Sequence, residues 1–198
     1  MSKKKFLRQE PTDNFVNSRL FLGISLVVLG VILVFGHGGR PALKDSFANE
    51  PVKVEGFSEG KRQEGKEPLR VVIPDAGIDL PVKRAEIIRG YWEVFPDTAA
   101  WGSGSGYPGE AGNQVVFAHA REGLFLPLKE VELNDKVYIF TKDGWFDYKV
   151  TEIKDVYPNQ IQVVAPTNDE TLTLYTCTGY QDSKRLIVIA KRVRRGDP

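Results

Sequence analysis

Three residues in this 198-residue chain have the chemistry for nucleophilic catalysis: Cys177, His119 and Arg185. Cys177 is the only cysteine, so it cannot form a disulfide within its own chain. A thiol becomes a strong nucleophile only as a thiolate or beside a base. His119 and His37 are the only histidines, and His37 lies in "GHGGR", next to an apolar run, where it reads as a loop residue. His119 is therefore the one imidazole available to a folded domain around Cys177. Acyl transfer also builds negative charge on oxygen, which a cation or N–H groups must hold. Arg185 follows Cys177 after the short stretch "TGYQDSK" and can supply that cation. Zinc would need three or four clustered ligands, and two histidines and one cysteine offer no such cluster. The formal net charge of +1 leaves no electrostatic footprint for nucleic acid.

The elements that must carry these residues are strands. "LRVVIP", "IDLPVKRA", "NQVVFAHA", "KVYIFT", "WFDYKVTEIKDVY", "TLTLYTC" and "RLIVIAKRV" are short β-rich runs separated by turn signals. "FLPLKEVELND" allows one short helical turn. "KDG" between two of the runs is a hairpin signal, with Asp143-Gly144 suited to a primed turn. Seven or eight strands without a long helical pattern predict an all-β fold, a small closed barrel or a sandwich. Side chains alternate between the two faces of a strand. Leu172, Leu174 and Thr176 then share the core face, and Thr171, Thr173, Tyr175 and Cys177 the other. Cys177 ends its strand on the non-core face, where a thiol is accessible. In a hairpin the end of one strand lies beside the start of the next, which brings Arg185 near Cys177.

The rest of the chain points to a membrane. Lys3, Lys4, Lys5, Arg8 and Arg19 precede an uncharged apolar run, Leu20 to Gly36. As a helix that run spans roughly 25 Å, near the short end for a bilayer crossing. It is longer than a signal-peptide core, and no A-x-A pattern follows it. The expected organisation is a basic cytoplasmic tail (1–19), a transmembrane anchor (20–36), a charged linker (37–67) and a β domain (68–195). The positive-inside tendency puts the N-terminus in the cytoplasm and the β domain outside. An unpaired cysteine in that oxidising setting suggests an intermolecular bridge or a reactive thiol. The terminal "KRVRRGDP" reads as a solvated basic tail.

The motifs resemble those of sortases, membrane-anchored cysteine transpeptidases of the bacterial surface. The stretch Thr173 to Cys177 matches the family's Thr-Leu-x-Thr-Cys. Arg185 in "RLIVIAKRV", "NQVVFAHAR" upstream and "LFLPLKEVELNDKVYIF" between them extend the resemblance over roughly Pro68 to Val193. It implies a sortase β-barrel of about eight strands with one or two short helices. It implies that Cys177 attacks the Thr–Gly carbonyl of a C-terminal signal such as Leu-Pro-x-Thr-Gly. His119 would serve as general acid and base, and Arg185 would hold substrate and oxyanion. Thr176 and Ala120 would help position the substrate. The implied partners are secreted proteins bearing the signal and an amine on a wall precursor or a pilin.

The sequence departs from the family at Ala118 and Ala120, where members often carry Gly and a polar residue. A common Gly-Asp turn is Asn134-Asp135 here. These changes bear on signal preference more than on the reaction, which needs no cofactor. Calcium, bound near the groove in some members, would find Glu130, Glu132 and Asp135, acidic residues that a strand-to-turn surface carries routinely. Two other readings use the same residues. A membrane-anchored cysteine peptidase would give the acyl group to water. A non-enzymatic β-domain binding module would use Cys177 to bridge two copies. L,D-transpeptidases also use Cys, His and Arg, but with a histidine shortly before the cysteine, which Cys177 lacks.

Overall fold

The computed structural model describes residues 23–31, Val54, Phe57, Gln63 and 65–193. Contacts divide the chain into two units, Met1–Asp45 and Ser46–Pro198. In the first unit residues 23–31 form a helix with exposed side chains. No helix among the described residues is long and apolar enough to cross a membrane, and the remainder of the expected 20–36 span lies outside them.

The second unit is built on a closed eight-stranded barrel. Its strands are β1 (Arg70–Ile73), β2 (Ile78–Ala85), β5 (Ala99–Gly102), β6 (Gly112–Phe117), β7 (Lys136–Phe140), β8 (Trp145–Val156), β9 (Glu170–Thr178) and β10 (Lys184–Arg192). Around the barrel they run β1-β2-β5-β6-β9-β10-β8-β7, and β7 pairs back with β1. The β2–β5 and β6–β9 pairs are parallel, and the others are antiparallel. A separate ribbon, β3 (Ile87–Ile88) with β4 (Tyr91–Trp92), interrupts the path from β2 to β5. The described residues hold three short 3-10 turns, at Leu126–Glu130, Ile161–Val164 and Tyr180–Asp182, where the sequence suggests one or two short helices.

Alternation sorts each strand between two apolar layers. Val116, Leu172, Leu174, Leu186 and Val188 point into the barrel and join one buried cluster. Val115 and Phe117 point outward, into a second cluster with Trp92 and Val164. The β6–β9 wall is therefore covered on both faces. Asn113 fastens the outer cover. Its Nδ2 donates to the Val163 and Ala165 carbonyls at 3.2 and 3.0 Å, and its Oδ1 accepts from Thr173 Oγ1 at 2.7 Å. Gly102 lies against the fully buried Trp92 indole. A Cβ there would come within 2.4 Å of the ring.

Part of the expected 37–67 linker also belongs to this cover. Val54 is buried, its N–H donates to the Gly90 carbonyl at 3.0 Å, and Phe57 meets Trp92 edge-on at 5.1 Å between centroids. Glu67 pairs with Arg84 at 2.9 Å. The charged texture of the segment hides these two apolar anchors.

The β7–β8 hairpin forms where expected but not with a primed turn. Phe140 pairs with Trp145, and the Thr141 N–H donates to the Gly144 carbonyl at 2.8 Å. Neither Lys142 nor Asp143 is left-handed. The Asp143 N–H instead donates to the Gly65 carbonyl at 3.3 Å and to Thr141 Oγ1 at 3.2 Å, which fixes the turn from outside. In the Asn134-Asp135 turn, Asn134 has φ 78°. Asn is among the few non-glycine residues that tolerate that region. The Asp135 carboxylate accepts the Glu132 N–H at 2.8 Å, and Glu130 lies 3.7 Å from Lys129. Among the described residues no three His, Cys, Asp or Glu side chains are grouped to hold a metal ion.

Candidate active site

The barrel brings the three reactive residues together by register. Cys177 on β9 is directly opposite Arg185 on the antiparallel β10. Directly opposite side chains share a face, with Cβ atoms about 5 Å apart. On the other side β9 runs parallel to β6, with Phe117 level with Tyr175. Two further bonds carry that alignment past the strand end. The Ala118 N–H donates to the Tyr175 carbonyl at 3.3 Å, and Thr176 Oγ1 donates to the Ala118 carbonyl at 2.8 Å. The next residues in step are His119 and Cys177. The register thus sets Cys177 directly beside Arg185, and the segment that bears His119 continues along the other side of β9.

Arg185 is not the surface residue its type suggests: it is 1% exposed. Its Nε donates to the Tyr175 hydroxyl at 3.0 Å, and its Nη1 donates to the carbonyls of Asp182 and Lys184 at 2.7 and 2.9 Å. A buried guanidinium held by three acceptors has a fixed direction. The Tyr180–Asp182 turn that supplies one acceptor contains two left-handed non-glycine residues, Gln181 at φ 51° and Asp182 at φ 56°. Such backbone costs about 1–3 kcal/mol per residue and persists only where the surroundings enforce it.

Cys177 opens on a cavity of about 220 Å³, lined also by Ala120, Phe125, Thr176, Asp182 and Leu186. The sequence-predicted Ala120 and Thr176 thus both reach the space in front of the thiol. Thr176 also uses its hydroxyl to tie β9 to the segment that bears His119. His119 lines a second, larger cavity, of about 430 Å³, against the β3–β4 segment.

Burial pushes the Cys177 thiol above its ordinary value of 9.0; Arg185 opposes this, and Asp182 adds to it. Burial pulls His119 below its ordinary 6.5, Arg121 pulls the same way, and Asp182 opposes them. Both shifts favour the uncharged forms near neutral pH. Transfer of the thiol proton to His119 as the sulfur attacks can generate the nucleophile when it is needed. The arrangement suits attack of sulfur on a carbonyl, with a proton carrier on one side and a cation on the other.

Tyr175 and Asp182 belong to the site but do not stand out in the sequence. Tyr175 has the same strand parity as Cys177, and its diagonal relation to Arg185 across the β9–β10 pair is the signal that points to it. Asp182 has no such signal, because its place depends on the turn's left-handed backbone.

Known proteins share both sequence and architecture with this chain. A sortase-domain family model matches residues 71–193. Sortase A of Streptococcus agalactiae serotype III is 28% identical over 132 residues, covering 64% of this chain and 53% of that protein. The chain spans about half the length of the curated relatives it matches. Sortase C1 of GBS pilus island 1 superposes with a TM-score of 0.58 at 28% identity, over 75% of this chain and 76% of that one. Sortase C-1 of Streptococcus pneumoniae gives 0.59 at 25% identity, over 75% and 85%. The family match covers more than half of the chain, the closed barrel is the shared architecture, and the chain belongs to the sortase family.

Proposed function

We propose that this protein is a cysteine transpeptidase that cleaves a C-terminal Leu-Pro-x-Thr-Gly-like sorting signal and joins the new carboxyl end to an amine of a cell-wall precursor or a pilin. The observation that carries this reading is the register of Cys177 opposite the buried Arg185, with the segment that bears His119 on the other side of β9. In the first half-reaction the Cys177 thiol gives its proton to His119, and the sulfur attacks the Thr–Gly carbonyl carbon. Arg185 faces the oxygen that gains charge. The C–N bond breaks as His119 protonates the departing glycine amine, leaving a thioester. In the second half-reaction an acceptor amine replaces that leaving group, and the same steps run in reverse. The basic N-terminal cluster and the apolar run Leu20 to Gly36 support an anchored protein with this domain outside the membrane.

The test uses the full chain in detergent with a pool of Leu-Pro-x-Thr-Gly-type peptides, with and without a small amine, followed by intact-mass measurement. The expected result is a mass increase on Cys177 that disappears when amine is added. Cys177→Ala should abolish it, and His119→Ala and Arg185→Ala should each slow turnover at least about a hundredfold. Near-normal turnover in any of the three variants refutes the assignment. A disulfide-linked dimer without any adduct would instead favour the binding-module reading.

A further inference from the structure

Three lysines face outward in one row across three neighbouring strands. Lys136 on β7 is directly opposite Lys149 on β8, and Lys149 is directly opposite Lys191 on β10. Their neighbours Val137, Val150 and Ala190 point into the barrel, so the lysines point out. Like charges directly opposite each other cost stability. Lys191 is offset by Asp169 at 2.7 Å, but Lys136 and Lys149 are exposed and have no ion pair among the described residues. Two acids on the same wall are already used: Asp79 pairs with Arg70, and Asp147 pairs with Arg192. The row offers positive charge to something outside the domain.

The same wall ends in aromatic side chains. Four residues from Lys149 along β8, Trp145 is 58% exposed. It meets Tyr138 of β7 edge-on at 5.9 Å, and Phe140 is directly opposite it. Leu69, 52% exposed, joins this end by donating its N–H to the Phe140 carbonyl at 2.7 Å. The register fixes an order along the strands. Trp145 comes first, and the lysine row follows about 13 Å further on. Thr171 is level with Lys191, and Cys177 lies roughly 20 Å beyond it on β9. The surface layer of a bilayer has a matching order. Aromatic rings settle between headgroups and acyl chains, and lysines one level out meet the phosphates. The chain arriving from the N-terminal side also joins the barrel at this hairpin, where the Asp143 N–H donates to the Gly65 carbonyl at 3.3 Å.

We infer that this wall of the barrel seats on an anionic lipid surface, with Trp145 at the boundary between headgroups and acyl chains and Lys136 and Lys149 on the lipid phosphates. The inference rests on the anchored placement proposed above. The seat fixes the height of Cys177 above the bilayer, at the far end of the strands from the aromatic edge.

The experiment reconstitutes the full chain into vesicles of phosphatidylcholine alone or with about 30% phosphatidylglycerol, which supplies the anionic charge. The readouts are quenching of tryptophan fluorescence by acrylamide from the water side and by brominated lipid from the bilayer side. Trp92 and Trp101 are fully buried, so any difference reports Trp145, and Trp145→Phe should remove it. Acrylamide should quench about threefold less on anionic than on neutral vesicles, and brominated lipid should quench only on the anionic ones. About 0.5 M salt, or Lys136→Glu combined with Lys149→Glu, should return both signals to the neutral-vesicle values. Equal acrylamide access on both vesicles, or lysine variants that behave like the unmodified protein, overturns the seat. Protection of Trp145 in detergent by a soluble glycerol-phosphate polymer, without any effect of lipid charge, assigns the row to a wall polymer and overturns it as well. Failure of the full chain to float with neutral vesicles overturns the anchored placement, and the seat with it. Thioester formation in detergent reports separately on the transpeptidase reading.

Discussion

Replacing Tyr175 by Phe isolates the contribution of one hydrogen bond to the direction of Arg185. The ring stays in the outer apolar layer, and the acceptor 3.0 Å from Arg185 Nε is lost. Arg185 is 1% exposed, so water has little access to replace that acceptor. A hydrogen bond to a charged group contributes about 1.5–3 kcal/mol. At about 1.4 kcal/mol per factor of ten, this corresponds to roughly a ten- to hundredfold loss if the reacting oxygen depends fully on the guanidinium's aim. The carbonyls of Asp182 and Lys184 still hold Nη1, so the lower end of the range is expected. The assay is single-turnover formation of the thioester, in a cycle with Arg185→Gln. Tyr175→Phe should cost about tenfold in the parent and less than twofold when Arg185 is already absent. An equal loss in both backgrounds would show that Tyr175 does not act through Arg185. A loss below twofold in the parent would show that Arg185 keeps its aim without the Tyr175 hydroxyl.

Three further outcomes follow from the same geometry. Asp182 raises both His119 and Cys177, so Asp182→Asn should lower both, and both limbs of the bell-shaped pH profile of kcat/KM should move to lower pH; a profile that keeps its limbs would remove Asp182 from the site's electrostatics. Gly102→Ala puts a methyl against a buried indole and should destabilise the domain by about 1–3 kcal/mol in urea unfolding, whereas an unchanged midpoint would mean that Trp92 can shift freely. Asn113→Ala removes three hydrogen bonds and leaves the buried Thr173 hydroxyl and the part-buried Val163 and Ala165 carbonyls short of a partner; with the buried hydroxyl alone at about 1–3 kcal/mol, urea unfolding should show a loss at least equal to that of Gly102→Ala, and an unchanged midpoint would mean that Asn113 does not hold the outer cover.

What the sequence reveals depends on whether one face of an element meets a polar surrounding. β9 alternates enough for the outward parity of Cys177 to be read directly, and the short β9–β10 turn makes Arg185 its neighbour. β5 escapes notice because "AAWG" is buried at all four positions and carries no alternation. The β3–β4 ribbon has two residues per strand, too few for a period. The outer layer is the larger omission. Alternation puts Cys177 on the face opposite the leucines, the face on which Val115, Phe117 and Tyr175 meet a second apolar layer with Trp92, Val164, Val54 and Phe57. The same layer packs Tyr175, whose hydroxyl accepts from the buried Arg185. Long-range packing of that kind leaves no local pattern.

The parallel β6–β9 pair has a consequence for how the protein comes into being. The bond between Thr176 and Ala118 joins residues 58 positions apart, and Arg185 is later still in the chain. Closing so long a loop loses entropy before any contact rewards it, and folds dominated by such pairings form slowly. During synthesis, therefore, Cys177 emerges without its cation, and His119 waits for a strand not yet made. An unfinished or truncated chain contains the thiol but not the partners that activate it, so the capacity to react arrives only with the final strand.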